Sequence, residues 1–428
     1  MAGPRPTEPD CGGNSKEIGR VTGLGMRGPD TPVILPGQIE LGFPSGSPDI
    51  HAMHRFALRQ PLVICLILAT AGGPRLSAAE YPPARRGPEF GDYFGDKILD
   101  PYRWLEDADS PRSARWIAAQ RAYTLAAFAD MPERDAIRGR LREQSRAPID
   151  LTQFETSEVF GTSRDGTRIP LFITARKGLK LDGSSPAWLH ANGGGDAWAK
   201  PGFATPIATW LGMGGIYAQA DIRGGGEFGQ EWRNSGIGER KPNAFDDFIA
   251  AASFLASKGY TRPDRLVFEG SGGGALVIAA VINEHPDLCA VALPDRGVMD
   301  MLRYHLFKGG AQWEAEFGTS ADPAAFKVLL AYSPVQNCAY GVHYPAVLIT
   351  TGDYDETVSP ANSYKYAAAI QAAIRTTPYY GPAMIRIDST PASGGPTPVS
   401  RTMEEWADRI GFAAHYMPAG SLALPKGP

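Results

Sequence analysis

The sequence predicts an α/β fold, a mainly parallel sheet with helices on both faces. Three observations predict it. Short apolar, β-rich runs alternate with helical periods from residue 158 to residue 416. Several of these runs are continuously apolar, as strands covered on both faces require. Leu266-Val-Phe-Glu269 also leads through Gly270-Ser-Gly-Gly-Gly274 directly into a helical period, which is a strand–turn–helix unit. Composition agrees: 428 residues, 43% hydrophobic and 21% charged, suffice for a large folded body. A net charge of −4 and the lack of a basic stripe with interleaved aromatics argue against a nucleic-acid partner.

Residues 1–52 are rich in Gly and Pro and carry no sustained apolar period, so they are expected to be a disordered extension. Residues 53–79 have the order of an export signal. Met53-His-Arg55 and Arg59 supply charge, Pro61 to Ala71 an apolar stretch, and Leu76-Ser-Ala-Ala79 a small-residue cleavage site. A span needs about 20 apolar residues, so no stable membrane span is expected in the mature chain. Use of the signal would make the protein periplasmic or secreted; otherwise it is cytoplasmic. Residues 80–147 are expected to be an N-terminal helical segment, with helices at Ser110–Met131 and Pro132–Glu143.

Residues 148–428 form the predicted α/β body. Strands are expected at Glu158–Thr162, Ile169–Thr174, Ala187–His190, Gly215–Ala220, Leu266–Glu269, Ala290–Pro294, Ala346–Thr351 and Met384–Asp388. Good helix formers at the right period mark Ala244–Lys258, Ala275–Glu284, Pro360–Ile374 and Arg401–Tyr416. Two of the four cysteines fall within residues 1–79. The other two, Cys289 and Cys338, each precede an apolar run, and either a disulfide or two buried thiols fits them. No spacing suggests a metal site, and no motif asks for a cofactor.

Gly270-Ser-Gly-Gly-Gly274 sits where α/β-hydrolases carry Gly-x-Ser-x-Gly. Its outer glycines fall on Gly270 and Gly274, so the serine belongs at Gly272 and the only hydroxyl, on Ser271, is one place early. Longer motifs surround it. Tyr81-Pro-Pro-Ala-Arg-Arg and Leu99-Asp-Pro-Tyr-Arg-Trp-Leu-Glu-Asp107 stand near the start. Ser163-Arg-Asp-Gly-Thr-Arg-Ile-Pro170, Gly178-Leu-Lys-Leu-Asp-Gly-Ser184 and Arg223-Gly-Gly-Gly-Glu-Phe-Gly229 follow. Asn243-Ala-Phe-Asp-Asp-Phe248, Gly297-Val-Met-Asp-Met-Leu302 and Tyr332-Ser-Pro334 complete the series. Together these motifs, covering most of residues 80 to 418, resemble the prolyl oligopeptidase family of serine peptidases. The resemblance implies an α/β-hydrolase fold and cleavage after proline in short peptides. It also implies a β-propeller between the N-terminal segment and the hydrolase body, where Arg146-Ala-Pro-Ile-Asp150 here makes a direct join.

The resemblance carries the family's site onto named positions. Asp355, in Thr351-Gly-Asp-Tyr-Asp-Glu-Thr-Val-Ser-Pro360, matches the triad acid. Ser393, in Ala392-Ser393-Gly394, stands at the histidine's position, and the only histidine after Asp355 is His415 in the terminal helix. Asn192 takes the place of an oxyanion tyrosine, with the Gly273 backbone as second donor. Trp313 matches the tryptophan that stacks a substrate proline. Thr357 replaces an arginine that binds the substrate backbone, and Gly195 a pocket phenylalanine. Serine catalysis needs a nucleophile, an imidazole and a carboxylate, and here two of the three positions hold Gly272 and Ser393. The expected function is thus an inactive prolyl oligopeptidase-like scaffold for a peptide or small-molecule ligand. The alternative is an active serine peptidase or esterase using Ser271 or an unrecognised base. Deleting residues 1–79 is expected to leave thermal unfolding unchanged, and a large drop in melting temperature would place that segment in the fold.

Overall fold

A computed structural model describes residues 81–146, 150–193, 204–375, 381–389 and 399–424. The expected extension at 1–52 and export signal at 53–79 lie outside the described residues. The described chain opens with two short strands, β1 (Phe90–Tyr93) and β2 (Asp96–Leu99), where the sequence suggested helix. They form an antiparallel hairpin across Phe94 and Gly95, both at positive φ (57° and 95°). Two such residues in a row define the turn that matches strand twist. Four-residue strands are too short to show an alternating pattern, so the hairpin escapes a reading by periodicity. Helices α1 (Pro111–Ala129) and α2 (Pro132–Gln144) follow as expected, α1 capped by the Ser110 side chain with Pro111 in its first turn.

The body then alternates strand and helix. In chain order it holds β3 (Phe154–Thr162), β4 (Arg168–Arg176), β5 (Ala187–Ala191), α3 (Thr205–Gly212), β6 (Ile216–Ala220) and α4 (Gly229–Asn234). Next come α5 (Pro242–Ser257), β7 (Leu266–Ser271), α6 (Gly273–Glu284), β8 (Val291–Asp295), α7 (Glu314–Phe317) and α8 (Pro323–Tyr332). β9 (Ala346–Gly352), α9 (Ala361–Ile374), β10 (Ala383–Asp388) and α10 (Val399–Tyr416) close it. Strands β3–β10 make one eight-stranded sheet in the order β10-β9-β8-β7-β5-β6-β4-β3. The β3–β4 and β4–β6 pairs are antiparallel and all others parallel, so the sheet is mainly parallel. Among these elements, α3, α4, α7 and α8 lie outside the sequence expectations. They are short, at 8, 6, 4 and 10 residues, and give few turns over which a period can repeat.

Packing explains the sequence pattern. Val267 and Phe268 on adjacent positions of β7 are both fully buried, because helices cover both faces of the central strand. Phe268 meets Phe248 of α5 edge-on at 4.9 Å. Trp188 of β5 packs edge-on against Trp210 of α3 at 5.2 Å on the other face. Phe268→Ala would cost about 3–5 kcal/mol by the usual cavity penalty. The N-terminal helices take part in the same body. Thr124 Oγ1 of α1 donates to Ile385 O at 2.8 Å and Arg121 Nε to Ile387 O at 3.4 Å. These carbonyls belong to edge strand β10, so α1 occupies the sheet edge with side-chain donors. Cys289 and Cys338 are free thiols, which decides against a disulfide. No described helix is long and apolar enough to cross a membrane.

A buried charge cluster ties the first motif to the body. Lys365 of α9 is fully buried, and its Nζ lies 2.8 Å from Asp100, 2.7 Å from Glu106 and 2.5 Å from Asp300. Arg303 adds two hydrogen bonds to Glu106 at 2.7 and 2.8 Å. The three acids lie close enough to hold a metal ion, but the Lys365 ammonium already supplies the cation between them. Burial by itself would raise the Glu106 carboxyl; the Arg303 hydrogen bond and the Lys365 charge outweigh it and hold it below its ordinary range. Lys365→Met leaves three acids facing one another without that cation, and removal of one partner from a buried pair costs about 3–5 kcal/mol. Chemical denaturation should show that loss at pH 7. A depressed carboxyl stabilises the fold above its unfolded value and loses that contribution as pH falls through its folded one. The gap between wild type and Glu106→Gln should therefore narrow as pH is lowered below about 4.

Candidate active site

Strand β7 ends at Ser271 and α6 begins at Gly273, so Gly272 makes the turn between them. Its backbone sits at φ 56° and ψ −114°. A residue with a side chain holds such a conformation only at a cost of about 1–3 kcal/mol, whereas glycine adopts it freely. Gly272 N donates to Asp295 O at 3.0 Å, and Gly272 O accepts from Leu276 N at 3.3 Å. Among the described residues, Trp313 Cη2 at 3.5 Å is the one atom within 4 Å of where a β-carbon here would stand. α/β-hydrolases raise a nucleophile on a strained strand-to-helix turn, and the residue at this turn, glycine, carries no side chain.

The neighbouring glycines answer a different need. A β-carbon on Gly193 would fall 1.6 Å from Gly274 N, and one on Gly273 would fall 2.5 Å from Gly193 O. The loop after β5 is thus pressed directly onto the first turn of α6, backbone against backbone. Lys241 clamps it there. This fully buried residue donates from Nζ to Gly193 O at 2.9 Å and to Glu316 Oε1 at 3.0 Å. Burial lowers its ammonium below the usual lysine range. Gly273, the expected backbone donor, is the first residue of α6 at this contact. Asn192, the expected oxyanion side chain, stands beside it, and its Nδ2 donates to Glu227 Oε1 at 2.7 Å. That amide is held by a carboxylate of this chain.

The remaining expected positions divide clearly. Trp313 comes to the elbow, stacked on Phe317 at 5.8 Å and 12°, with its Nε1 donating to Thr357 O at 3.2 Å. Gln312 donates to the same carbonyl at 2.8 Å, so Thr357 helps to fix the tryptophan through its backbone. Asp355 lies on the loop after β9. Its Oδ1 accepts from Thr357 N and Val358 N at 2.9 Å each, and its Oδ2 faces Arg296 Nε at 3.7 Å. Ser271 Oγ donates to Asp295 Oδ2 at 3.2 Å, a carboxylate partner in place of an imidazole. His415 lies 3.2 Å from Glu133 and links α10 to α2. Ser393 and Gly195 lie outside the described residues.

Sequence reasoning missed the charged network beneath the elbow. His190 Nδ1 of β5 lies 2.6 Å from Glu269 Oε2 on the adjacent β7. Arg409 of α10, also buried, reaches Glu269 at 3.2 Å and Asp295 and Glu405 at 2.8 Å each. Arg296 Nη1 grips both oxygens of Asp295 at 2.7 and 2.9 Å. Burial would lower His190, but the Glu269 charge outweighs it and raises the imidazole. Burial would likewise raise Glu269, and its His190 and Arg409 partners bring it below its ordinary value. The signal was present as a glutamate inside the apolar run of β7, since a buried acid requires a cation nearby.

Residues 201–416 match the family model described as the prolyl oligopeptidase family. The chain belongs to the prolyl oligopeptidase family. Residues 82–150 match the model of the prolyl oligopeptidase N-terminal β-propeller domain, although the described part of that stretch forms a hairpin and two helices. A prolyl endopeptidase of Elizabethkingia miricola is 38% identical over 284 residues, covering 66% of this chain and 40% of that protein. Prolyl oligopeptidase A of Galerina marginata is 38% identical over 273 residues, covering 63% and 36%. Prolyl oligopeptidase B of Galerina marginata, solved with a 35mer hydrolysis and macrocyclization substrate, superposes with a TM-score of 0.61 at 37% identity. That likeness covers 65% of this chain and 39% of the solved one. A post-proline cleaving enzyme from Rickettsia typhi gives 0.58 at 28% identity, covering 63% and 38%. The chain spans about two fifths of the length of the curated relatives it matches.

The buried Asp221, directly after β6, offers a pH probe of the sheet in this member of the prolyl oligopeptidase family. Burial pushes its carboxyl up to about 6, against the hydrogen bond from Gln219, and Glu227 adds to the rise. Because this value exceeds the unfolded one near 3.9, stability from the bound proton is full at low pH and is lost as pH rises through about 6. Asp221→Asn is therefore expected to raise the melting temperature at pH 8 and to change it little at pH 4. Equal effects at both pH values would refute the assignment.

Proposed function

We propose that this chain is a non-catalytic member of the prolyl oligopeptidase family that keeps a proline-recognition wall without hydrolytic machinery. One observation carries the reading: the residue at the elbow is Gly272, which has no side chain and sits at the strained dihedral where a nucleophile would be presented. Attack on a peptide carbonyl needs a hydroxyl made nucleophilic by a base. The neighbouring hydroxyl of Ser271 points to Asp295, a carboxylate already paired with two guanidiniums. Substituting glycine here also removes backbone strain that a serine at this turn would impose, so loss of the side chain favours the fold.

The ligand side of the elbow remains. Trp313 flanks the space above Gly272, and its ring is fixed by Phe317 and the Thr357 carbonyl. An aromatic face of this kind suits a flat apolar ring such as proline. A short prolyl peptide bound without turnover is the ligand this arrangement supports. The direct join at residues 146–150 leaves the elbow without an inserted propeller to restrict access.

A fluorophosphonate probe and a chromogenic Gly-Pro substrate test the reading. The unmodified chain is expected to give neither labelling nor turnover. Gly272→Ser alone lacks a base and Ser393→His alone lacks a nucleophile, so both single variants should stay inert. The double variant is the smallest change that supplies both groups alongside Asp355. Turnover by the unmodified chain that disappears in Ser271→Ala would overturn the reading and make Ser271 the nucleophile.

A further inference from the structure

Arg296 is an unusual residue in an informative place. It directly follows β8, whose last residue, Asp295, pairs in register with Ser271 and accepts the Gly272 N–H. With φ at 48°, it is one of two non-glycine residues at positive φ among the described residues. A bulky side chain on such a backbone costs about 1–3 kcal/mol and persists where surrounding contacts compensate. Those contacts are visible. Arg296 N donates to Thr350 O at 2.8 Å, and its guanidinium meets three carboxylates: Asp295 at 2.7 Å, Glu405 at 3.5 Å and Asp355 at 3.7 Å.

The contact with Asp355 matters because of what that acid has left to offer. Its Oδ1 is occupied by the Thr357 and Val358 N–H groups, so Oδ2 is the oxygen that Arg296 faces. In a triad the acid orients an imidazole through such a bond. Here a guanidinium, which cannot give up its proton near neutral pH, faces that oxygen instead. We infer that Arg296 is a positioning residue that has taken Asp355 over, turning the acid that matches the triad into a member of a structural ion-pair network. Without Arg296, Asp295 and Glu405 keep Arg409, which reaches both, and Arg386 also acts on Glu405, whereas no other ion pair is seen for Asp355 among the described residues. The pair stands on this geometry alone. Its consequence for catalysis rests on the proposed reading of positions 272 and 393.

Two measurements on the full chain separate these levels. The first is a double-mutant cycle on melting temperature with Arg296→Met, Asp355→Asn and both together. Asparagine keeps Oδ1 for the two backbone donors, so the cycle reads the side chain facing Oδ2. The double variant is expected to lose less than the sum of the single losses, and strictly additive losses would overturn the inference. The second adds Arg296→Met to the Gly272→Ser/Ser393→His variant and follows fluorophosphonate labelling against pH. A nearby guanidinium depresses an imidazole and competes for its acid. Its removal should therefore speed labelling by roughly tenfold or more and move the pH midpoint upward. Arg296→Lys should retain the slow rate. Labelling that depends on Asp355 yet ignores Arg296→Met, in rate and in pH midpoint, would refute the takeover. Inert variants with and without Arg296, alongside a coupled stability cycle, would leave the pair standing and refute the reading of positions 272 and 393.

Discussion

The close approach of two backbones, the loop after β5 and the first turn of α6, is the constraint on which the site depends. It requires glycine on both sides, because a β-carbon on Gly193 would land 1.6 Å from Gly274 N. It also needs a clamp, which Lys241 supplies by donating to Gly193 O from a fully buried position. This contact brings Asn192 and the start of α6 together beside Gly272. The elbow, the tryptophan wall and the acid loop are then arranged around one small volume. A scaffold this tightly specified keeps its shape when a side chain at its apex is absent, since Gly272 contributes no packing to it.

Beneath that contact the charges tell a second story. Glu269, Asp295, Asp355 and Glu405 converge near the C-terminal ends of the central strands, and Arg296, Arg409 and His190 answer them. Burying so many ions is costly unless each finds partners, and removal of one leaves the others exposed to mutual repulsion. Ser271 is drawn into the same network through Asp295. The polar groups under the elbow are organised around ion pairs. The Lys365 cluster does the equivalent work at the other junction, where Asp100 and Glu106 of the N-terminal segment meet α9.

Much of this was legible in the sequence. Continuous apolar runs such as Leu266–Phe268 and Val291–Leu293 announced strands covered on both faces, and long helices such as α5 and α9 showed their period over three or more turns. The run Gly270–Gly274 placed the turn between β7 and α6. Less legible were elements too short for a period, namely the β1–β2 hairpin, α3, α4, α7 and α8. Also hidden was the conduct of side chains whose partners are remote in sequence. Asn192 and Glu227 are 35 positions apart, and Glu269 and Arg409 are 140 apart. No local pattern reports such pairs.

The sequence by itself determined the fold class and the glycine at position 272, because each follows from residue type and local spacing, and its ordered motifs carried the resemblance to the family. Tertiary structure alone decided what the remaining groups do. It turned Ser271 toward Asp295, gave the Asn192 amide to Glu227, kept Cys289 and Cys338 as free thiols, and set Arg296 against Asp355. The physical reason is that hydrogen bonds and ion pairs act over a few ångströms in space. Which groups come that close is fixed by how strands and helices pack across the sheet.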